Sequence, residues 1–294
     1  MQILLTGGTG FIGSALKDDL VACGHSVIIY TRQSIPDTTH CRYVKNLQAV
    51  ADSTHLDAVI NLAGASLADR RWTDNYKREI FASRLNTTRD LLRLLERLEH
   101  TPQVLLSASA IGYYGHHGDE ELGEDATVQA GFSQDLCNQW EVQAQQAATL
   151  GIRVCLLRLG VVLDSGGGAM LPMARPFDFG VANWLGSGRQ WLSWVHRRDV
   201  IAAIRFLLEH EELVGPFNIT APQPVTSREF CAAMKRHKRT FITAPVPAAV
   251  MRLLVGPMAE ELLLNGQRVV PSALQSAGFD FSFTSVDDAL AEIF

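Results

Sequence analysis

Residues 2–13 read QILLTGGTGFIG, an apolar run that leads directly into a glycine-rich turn. The next segment, residues 14–23, places its apolar side chains on one helical face, and Gly24 follows where a helix is expected to end. Residues 25–30 (HSVIIY) then have the β-branched composition of a second strand. A strand, a glycine turn, a helix and a strand within about thirty residues are typical of a βαβ unit in a parallel sheet.

The glycines of this turn have the spacing of a nucleotide-binding loop. Gly8, Gly10 and Gly13 match G-x-G-x-x-G, and Gly7, Gly10 and Gly13 match G-x-x-G-x-x-G. Residues without a Cβ atom let backbone N–H groups approach a pyrophosphate, and the N-terminus of the helix adds partial positive charge there. The position between a strand and a helix favours a dinucleotide site over a glycine-rich turn without a ligand.

The end of the second strand indicates which dinucleotide is bound. A site for NAD usually has a carboxylate there to bind the ribose 2′-hydroxyl, but no Asp or Glu lies between Gly24 and Ile35. The chain instead has Thr31 and Arg32, and a planar guanidinium suits a 2′-phosphate. We therefore predict NADP(H) rather than NAD(H). The alternative is that Arg32 is a solvated surface residue.

The rest of the chain alternates strands and helices. Its patterns predict, in order, a strand within 56–64, a helix at 84–100, a strand at 103–109, a helix at 132–150 and a strand at 152–159. This alternation predicts an α/β fold with a doubly wound parallel sheet of the Rossmann type. After about residue 162 the chain becomes richer in glycine, methionine and proline, which indicates a smaller, discontinuous C-terminal α/β domain.

These patterns divide the chain into two expected domains. The nucleotide-binding domain comprises residues 1–162 and about 195–220. The remaining residues, about 163–194 and 221–294, form a substrate-binding domain over the carboxyl edge of the sheet, which is where open α/β sheets bind their ligands.

The composition excludes several classes of protein. Of 294 residues, 47% are hydrophobic and 19% are charged, and the formal net charge is −5. The apolar content argues against disorder, and the lack of excess basic residues argues against a nucleic-acid partner. Neither a membrane-spanning run nor a signal-peptide pattern is visible. With five scattered cysteines and no CxxC pair, we expect a cytoplasmic protein with reduced thiols.

Several motifs together resemble one known family. TGGTGFIG at 6–13, INLAG at 60–64 and SASAIGYYG at 107–115 are similar to the extended short-chain dehydrogenase/reductase superfamily, of the nucleotide-sugar epimerase type. An atypical subgroup of epimerase family proteins is indicated by RRWT at 70–73, SRLNTT at 83–88, GGGAM at 166–170, GSGRQWLSWVH at 186–196 and GQRVVP at 266–271. The resemblance covers essentially the whole chain.

This resemblance implies bound NADP(H) and a defined set of cofactor contacts. They are expected on the glycine turn, after the second, fourth and sixth strands, and on the helix that follows the fourth strand. The residues concerned are Gly7, Gly10, Phe11, Ile12, Gly13, Thr31, Arg32, Leu62, Ala63, Gly64, Glu79, Arg84 and Val162. Arg84 stands near the place where ordinary extended members have an Asn. Either its charge reaches a cofactor oxygen, or it lies on the helix surface.

The catalytic residues of the superfamily are only partly present. Such proteins use a Ser or Thr with a Tyr-x-x-x-Lys, in which the lysine lowers the pKa of the tyrosine. Ser109 matches the serine, although it is also suited to capping a turn. The two positions of the Tyr-x-x-x-Lys fall at about Ser133 and Cys137, and no lysine lies between Lys77 and Lys235.

Two tyrosines are candidates for the missing acid/base group. Tyr113 and Tyr114 follow Ser109 closely and would need a neighbouring cation, for which Arg84 is available. Their alternative role is aromatic packing at the crevice.

Substrate contacts are expected near the tryptophan-rich segment. Arg189 suits a phosphate or carboxylate, Trp194 could form a wall of the site, and His196 titrates near neutral pH. Structural roles are open for each of them, and adjacent His116 and His117 indicate a polar loop rather than a metal site.

We therefore predict an NADP(H)-binding oxidoreductase or epimerase that acts on a small molecule, for which a nucleotide sugar is one candidate. The alternative is a weakly active or inactive cofactor-binding sensor or partner-binding protein. An oligomer is compatible with the sequence.

Overall fold

The central element is a sheet of seven parallel strands in the order β12-β7-β5-β4-β1-β2-β3. The computed structural model describes residues 1–68 and 70–294. The strands are β1 Gln2–Thr6, β2 Ser26–Tyr30, β3 Cys41–Val44, β4 Ala58–Asn61, β5 Val104–Ala110, β6 Glu121–Leu122, β7 Arg153–Leu159, β8 Val161–Leu163, β9 Val181–Leu185, β10 Trp191–Leu192, β11 Trp194–His196, β12 Gly215–Ile219, β13 Val225–Thr226, β14 Ile242–Val246 and β15 Arg268–Val269.

Helices connect these strands. They are α1 Phe11–Ala22, α2 Asp74–Arg97, α3 Phe132–Gln145, α4 Met170–Asp178, α5 Arg197–Glu209, α6 Ser227–His237, α7 Ala248–Val255, α8 Ser272–Ser276 and α9 Val286–Ile293. Shorter helical turns lie at Leu47–Ala49, Ile111–Tyr114, Gln146–Leu150 and Ala259–Leu264. None of the helices in the described part of the chain combines the length and apolar character needed to span a membrane.

Both faces of the sheet are covered by helices, as a doubly wound fold requires. On one face, Leu16 and Leu20 of α1 pack with Val200 and Ile204 of α5 against the strands. On the other face, the apolar side of α2 and the end of α3 pack against the same strands. The predicted Rossmann-type α/β fold is therefore confirmed.

A third apolar cluster lies outside the sheet. It joins α4, α6 and α9 with β9 and includes Trp194, whose side chain is fully buried. Small two-stranded ladders surround it, among them β9 with β14 and β10 with β13. The glycine-rich and proline-rich second half of the sequence thus folds into short elements grouped around this cluster.

The structure differs from the sequence analysis of the elements at two places. The second long helix begins at Asp74 rather than at residue 84, because the Thr73 hydroxyl accepts a hydrogen bond from the Tyr76 amide and caps the helix there. The short strand β3 was not predicted, since its sequence CRYV alternates too briefly to show a period.

Candidate cofactor and reaction site

The glycine turn after β1 is shaped by contacts that leave no room for side chains. Gly7 has φ +71°, and a Cβ atom on it would lie 2.6 Å from the Leu62 carbonyl oxygen. A Cβ on Gly13 would lie 2.2 Å from the Gly7 carbonyl oxygen, and one on Gly10 would lie 3.2 Å from it. The turn therefore requires glycine for backbone packing as well as for any ligand.

The start of α1 is suited to an anion. Its N-cap residue Gly10 supplies no side-chain hydrogen bond, and its first turn contains no acidic residue. The first amides of a helix have no intrahelical partner and carry partial positive charge. Phe11 and Ile12 lie in this first turn, so the chain's own residues fit the pyrophosphate of a dinucleotide.

The residues after β2 lie at the same edge of the sheet. Thr31 is buried, and its hydroxyl accepts a hydrogen bond from the Gln33 amide over 3.2 Å. Arg32 is exposed, and within residues 1–68 and 70–294 it forms no ion pair. Its guanidinium is therefore free to bind an external anion.

Leu62, Ala63 and Gly64 follow β4 and lie beside the glycine turn, since the Ala63 amide donates to the Thr6 hydroxyl over 3.2 Å. The Arg84 guanidinium lies beneath this segment: a Cβ on Gly64 would be 2.9 Å from Arg84 Cζ. Thus the structure brings Arg84 to the carboxyl edge.

Arg84 is held in place by two contacts. Its Nη1 donates to the Ile80 carbonyl over 3.1 Å, and its Cζ lies 5.2 Å from the centroid of the Trp140 ring. Burial lowers the pKa of Arg84, although an arginine at this depth stays charged at neutral pH. Glu79, by contrast, is exposed on α2 and pairs with Arg70 over 3.4 Å.

Ser109, at the end of β5, is part of a buried polar network. It is 2% exposed, and its hydroxyl donates to Glu141 Oε1 over 2.6 Å. Glu141 forms a two-contact ion pair with Arg158, in which Nε and Nη2 donate over 2.9 and 3.0 Å. Burial opposes the charge of Arg158, but the hydrogen bonds and charge of Glu141 raise its pKa above the usual value.

Both candidate tyrosines contact the same arginine. Arg158 Nη1 donates to the Tyr114 hydroxyl over 2.9 Å, and that hydroxyl donates to Asn218 Oδ1 over 2.7 Å. The Arg158 Cζ also lies 3.5 Å from the centroid of the Tyr113 ring. The cation beside these tyrosines is therefore Arg158.

The environment of Tyr114 does not favour a phenolate. Its side chain is fully buried, and burial raises its pKa to about 12, outweighing the opposing effect of Arg158. Tyr114 therefore remains protonated at neutral pH. Tyr113 is only half-buried, which makes it the more accessible of the two rings.

Ser133 and Cys137, at the positions of the missing Tyr-x-x-x-Lys, lie in α3 opposite Gly112. Burial raises the pKa of the Cys137 thiol to about 11, so it is not a nucleophile at neutral pH. Ser133 donates to Glu261 Oε2 from its amide over 3.3 Å and from its hydroxyl over 3.0 Å. His116 Nε2 lies 3.9 Å from the same oxygen.

A loop from the second half of the chain lies over the start of α1. A Cβ on Gly168 would be 2.6 Å from the Phe11 ring. Arg197 donates to the Phe11 carbonyl over 3.2 Å and to Asp164 Oδ2 over 2.7 Å. Val162 lies on β8, just before this loop.

The three predicted substrate residues differ in their exposure. Arg189 is exposed after Gly188. Trp194 is fully buried, and its indole N–H donates to the Gln223 carbonyl over 3.0 Å. His196 is 2% exposed, and its Nδ1 accepts a hydrogen bond from the Arg198 amide over 3.2 Å as the N-cap of α5. Only Arg189 of the three presents its side chain to solvent.

Sequence reasoning missed the partners that hold this edge together. Arg158, Asn218 and Glu261 were not singled out. For Arg158 a signal existed: a charged residue inside the apolar run IRVCLLRL requires a buried partner. For Glu261 no local signal exists, because its contact with Ser133 joins residues far apart in the chain.

Comparison with known proteins agrees with this architecture. The model of the NAD dependent epimerase/dehydratase family matches residues 3–220, and a domain of unknown function, DUF1731, matches residues 246–293. Epimerase family protein SAR0825 of Staphylococcus aureus is 37% identical over 297 residues, which cover 99% of this chain and 98% of that protein. Epimerase family protein YfhF of Bacillus subtilis is 36% identical over 299 residues, covering 100% and 98%.

A solved structure is similar along its whole length. The crystal structure of the human epimerase family protein SDR39U1 with NADPH matches with a TM-score of 0.88 and 33% sequence identity, covering 100% of this chain and 99% of that one. The resemblance inferred from the sequence motifs is thereby confirmed. The chain belongs to the NAD dependent epimerase/dehydratase family.

Proposed function

We propose that this protein binds NADP(H) along the carboxyl edge of its sheet and acts as an oxidoreductase or epimerase on a small polar molecule. The observation that carries the proposal is the glycine turn, where a Cβ at Gly13 would lie 2.2 Å from a backbone oxygen and α1 begins without a side-chain cap. Family membership and the human relative solved with NADPH support it.

The proposed cofactor contacts lie along the carboxyl edge of the sheet. The first turn of α1 would hold the pyrophosphate, Arg32 the 2′-phosphate, and Leu62, Ala63 and Arg84 the central part of the dinucleotide. Glu79 and Val162 remain proposed contacts, although Glu79 is paired with Arg70 on the surface of α2. When bound, the nicotinamide would supply hydride transfer, and the chain would supply orientation and electrostatics.

The division into two parts is also proposed. Residues 1–162 with about 195–220 would bind the cofactor, and about 163–194 with 221–294 would bind the substrate, with a nucleotide sugar as one candidate. The family model for residues 3–220 supports the larger part, while the separate match at 246–293 supports a distinct C-terminal segment.

At the reaction end we propose different roles for the three catalytic candidates. Ser109 and Tyr114 are buried in the Glu141–Arg158 network, so they act as positioning residues. Tyr113 is half-buried with a cation against its ring, so it is the proposed substrate contact among the three. Arg189 is the proposed anion-binding residue of the substrate part.

A second function is favoured by one specific observation. The hydroxyls of Ser109 and Tyr114 are already engaged, and the pKa of Tyr114 is raised to about 12 by burial. A site with this chemistry is also consistent with a protein that binds NADP(H) with little turnover and acts as a sensor or partner-binding module.

Substitution of Arg32 tests the cofactor assignment. We expect Arg32→Ala to weaken NADPH binding by about 1–3 kcal/mol, the range of a hydrogen bond to a charged group, and to leave NADH binding nearly unchanged. Isothermal titration calorimetry with both cofactors measures this difference. Equal losses for NADPH and NADH would contradict a 2′-phosphate contact at Arg32.

Single-turnover kinetics separate the two functions. NADPH fluorescence is followed by stopped flow in two panels: the NADPH complex is mixed with small carbonyl compounds, which can accept hydride, and the NADP+ complex is mixed with nucleotide sugars, whose hydroxyl carbons can donate it. Loss of NADPH in the first panel or formation of NADPH in the second, at a lower rate in Tyr113→Phe, supports the enzyme. Tight cofactor binding with no change of redox state in either panel favours the sensor, and no NADPH binding at all rejects both.

A further inference from the structure

We propose that Lys45 and Ser34 complete the 2′-phosphate site together with Arg32, an inference that rests on the proposed binding of NADP(H). Lys45 is the first residue after β3, and β3 pairs in parallel with β2 so that Val44 lies opposite Tyr30. Lys45 is therefore the neighbour of Thr31 on the adjacent strand, and Thr31 is the residue that precedes Arg32. The two cations belong to neighbouring strand ends at one edge of the sheet.

The backbone fixes this arrangement. The Thr31 amide donates to the Val44 carbonyl over 3.0 Å, which extends the β2–β3 ladder one residue past the end of β2. Successive side chains of a strand point to opposite faces, so Lys45 shares a face with Tyr43, whereas Arg42 points the other way. Arg42 accordingly donates to the Ala49 carbonyl over 2.9 Å on the other side of the strand.

Lys45 borders an open cavity whose lining begins at Gln33, the residue after Arg32. The cavity has a volume of about 320 Å³ and is lined by Gln33, Ser34, Ile35, Pro36, Tyr43 and Lys45. None of these six residues is acidic. The nearest carboxylate in the loop sequence is Asp37, and one of its oxygens accepts the Tyr43 amide over 2.7 Å. The lining therefore has a net positive charge.

Lys45 also positions a hydroxyl for an anion. Its Nζ donates to Ser34 Oγ over 2.5 Å, so the Ser34 oxygen acts as an acceptor and its own hydrogen is available for a phosphate oxygen. In the described part of the chain Lys45 forms no ion pair with a carboxylate. A solvent-exposed ammonium and hydroxyl add little to folding stability, so this pair has no evident structural purpose.

The charge of the ligand explains why a second cation is needed. A phosphate monoester carries about −1.5 to −2 charges at pH 7, so one arginine leaves it only partly neutralised. The planar Arg32 can bind two phosphate oxygens at once, while the Lys45 ammonium acts as a point charge on a flexible stem. Ser34 would add a neutral hydrogen bond between them.

Calorimetry on three variants of the full chain tests this proposal. The ligands are NADPH, NADH and adenosine 2′,5′-bisphosphate, which carries the phosphate group without the nicotinamide. We expect Lys45→Gln to weaken NADPH and the bisphosphate about tenfold, the lower end for a charged hydrogen bond, with NADH unchanged. Ser34→Ala should have a smaller effect in the same direction.

Arg42→Gln is the matched control, because it removes one positive charge from the same strand on the opposite face. It should leave all three affinities unchanged, which separates a direct contact from general electrostatic attraction. Equal NADPH affinity in Lys45→Gln and the unmodified protein would overturn the proposal, and so would parallel losses in Lys45→Gln and Arg42→Gln.

The outcomes also distinguish this proposal from the proposed function itself. If the unmodified protein binds neither dinucleotide, the cofactor assignment fails, and the proposal for Lys45 fails with it. If NADPH binds and depends on Arg32 but not on Lys45, only the present proposal fails. If NADPH and NADH bind equally and Arg32→Ala changes neither, the 2′-phosphate has no site at this edge and the proposal is likewise rejected.

Discussion

At the scale of single residues, the buried ion pair of Glu141 and Arg158 contacts all three catalytic candidates, Ser109, Tyr113 and Tyr114. Each side chain is at most 5% exposed. The arginine contacts Tyr113 and Tyr114, and the glutamate accepts the Ser109 hydroxyl. Charges in such an environment are stable only while their partners are present. The network therefore fixes the geometry of all three predicted catalytic residues.

Removing one partner of this pair should be costly. We expect Arg158→Leu to lower the free energy of unfolding by about 3–5 kcal/mol, because it leaves the Glu141 carboxylate buried without a cation. Urea denaturation followed by circular dichroism measures the change. The exposed Arg239→Leu serves as the control and should change stability by about 0.5 kcal/mol or less.

The double variant Glu141→Leu with Arg158→Leu sharpens this test. It removes both charges, so it should recover a substantial part of the loss. If the double variant loses as much free energy of unfolding as the two single variants added together, packing, and not an unpaired charge, causes the effect.

The sequence predicted single residues well where one residue type is required by backbone geometry. The glycines of the turn were found from their spacing, and their close backbone contacts agree with it, whereas Arg32 as a cofactor contact stays a prediction. The partnership of Glu141 with Arg158 could not be found, because the two residues lie on different elements and no local pattern joins them. Lys45, the proposed phosphate contact, was not singled out because the strand before it, β3, is too short to be recognised.

At the scale of elements, His196 links a strand to a helix. It ends β11 and caps α5 through its Nδ1, while its ring lies 4.1 Å from the centroid of Phe283. The hydrogen bond from the Arg198 amide requires an unprotonated Nδ1. Burial lowers the pKa of His196 below 6.5, so the neutral ring is the form that the fold stabilises.

This environment makes stability depend on pH. Since the folded pKa lies below the unfolded value of 6.5, the unfolded chain binds the proton first, and stability should fall as the pH drops through about 6.5. Between pH 7.5 and 5.5, we expect His196→Asn, which retains a capping side chain, to lose less stability than the unmodified protein.

Urea denaturation at the two pH values measures the difference, whose upper limit is about 1.4 kcal/mol per pH unit for one proton. The exposed His40→Asn provides the control and should keep the pH dependence of the unmodified protein. If His196→Asn and the unmodified protein show the same slope, the histidine does not contribute.

Helices and strands were predicted correctly where apolar residues recur regularly over several turns, and the predictions failed at the ends of elements. The core strands and the apolar face of α2 were recognised, but the first turns of α2 were not. Those turns contain Asn75, Lys77 and Arg78, and their helical state depends on the Thr73 cap and on packing of Tyr76 and Ile80 against distant residues.

At the scale of the whole molecule, the C-terminal segment is part of the central core. Leu274 is fully buried within the cluster that covers one face of the sheet, and Phe279 and Phe281 pack against it. Asp199 at the start of α5 accepts hydrogen bonds from the amides of Ser282 and Phe283, each over 3.0 Å. The two regions matched by separate family models are thus joined by buried contacts.

We therefore expect the chain to unfold in one cooperative transition and to fail to fold without its last segment. Deletion of residues 247–294 would expose apolar core and leave the Asp199 carboxylate without its amide donors, which is a penalty well beyond typical stability margins. Near-ultraviolet circular dichroism and the binding of a hydrophobic dye report on the packing of the truncated chain.

Deletion of Phe294 alone is the matched control, because this residue is 46% exposed and its loss should preserve a cooperative transition. A truncated chain of residues 1–246 that melted cooperatively would contradict the expectation.

The same contacts have a consequence for synthesis in the cell. The amino-terminal half of a growing polypeptide leaves the ribosome first. One face of its sheet therefore stays partly exposed until the C-terminal residues that cover it have been translated. We expect nascent chains of this protein to engage chaperones until translation is nearly finished, and prematurely terminated products to be removed by proteolysis.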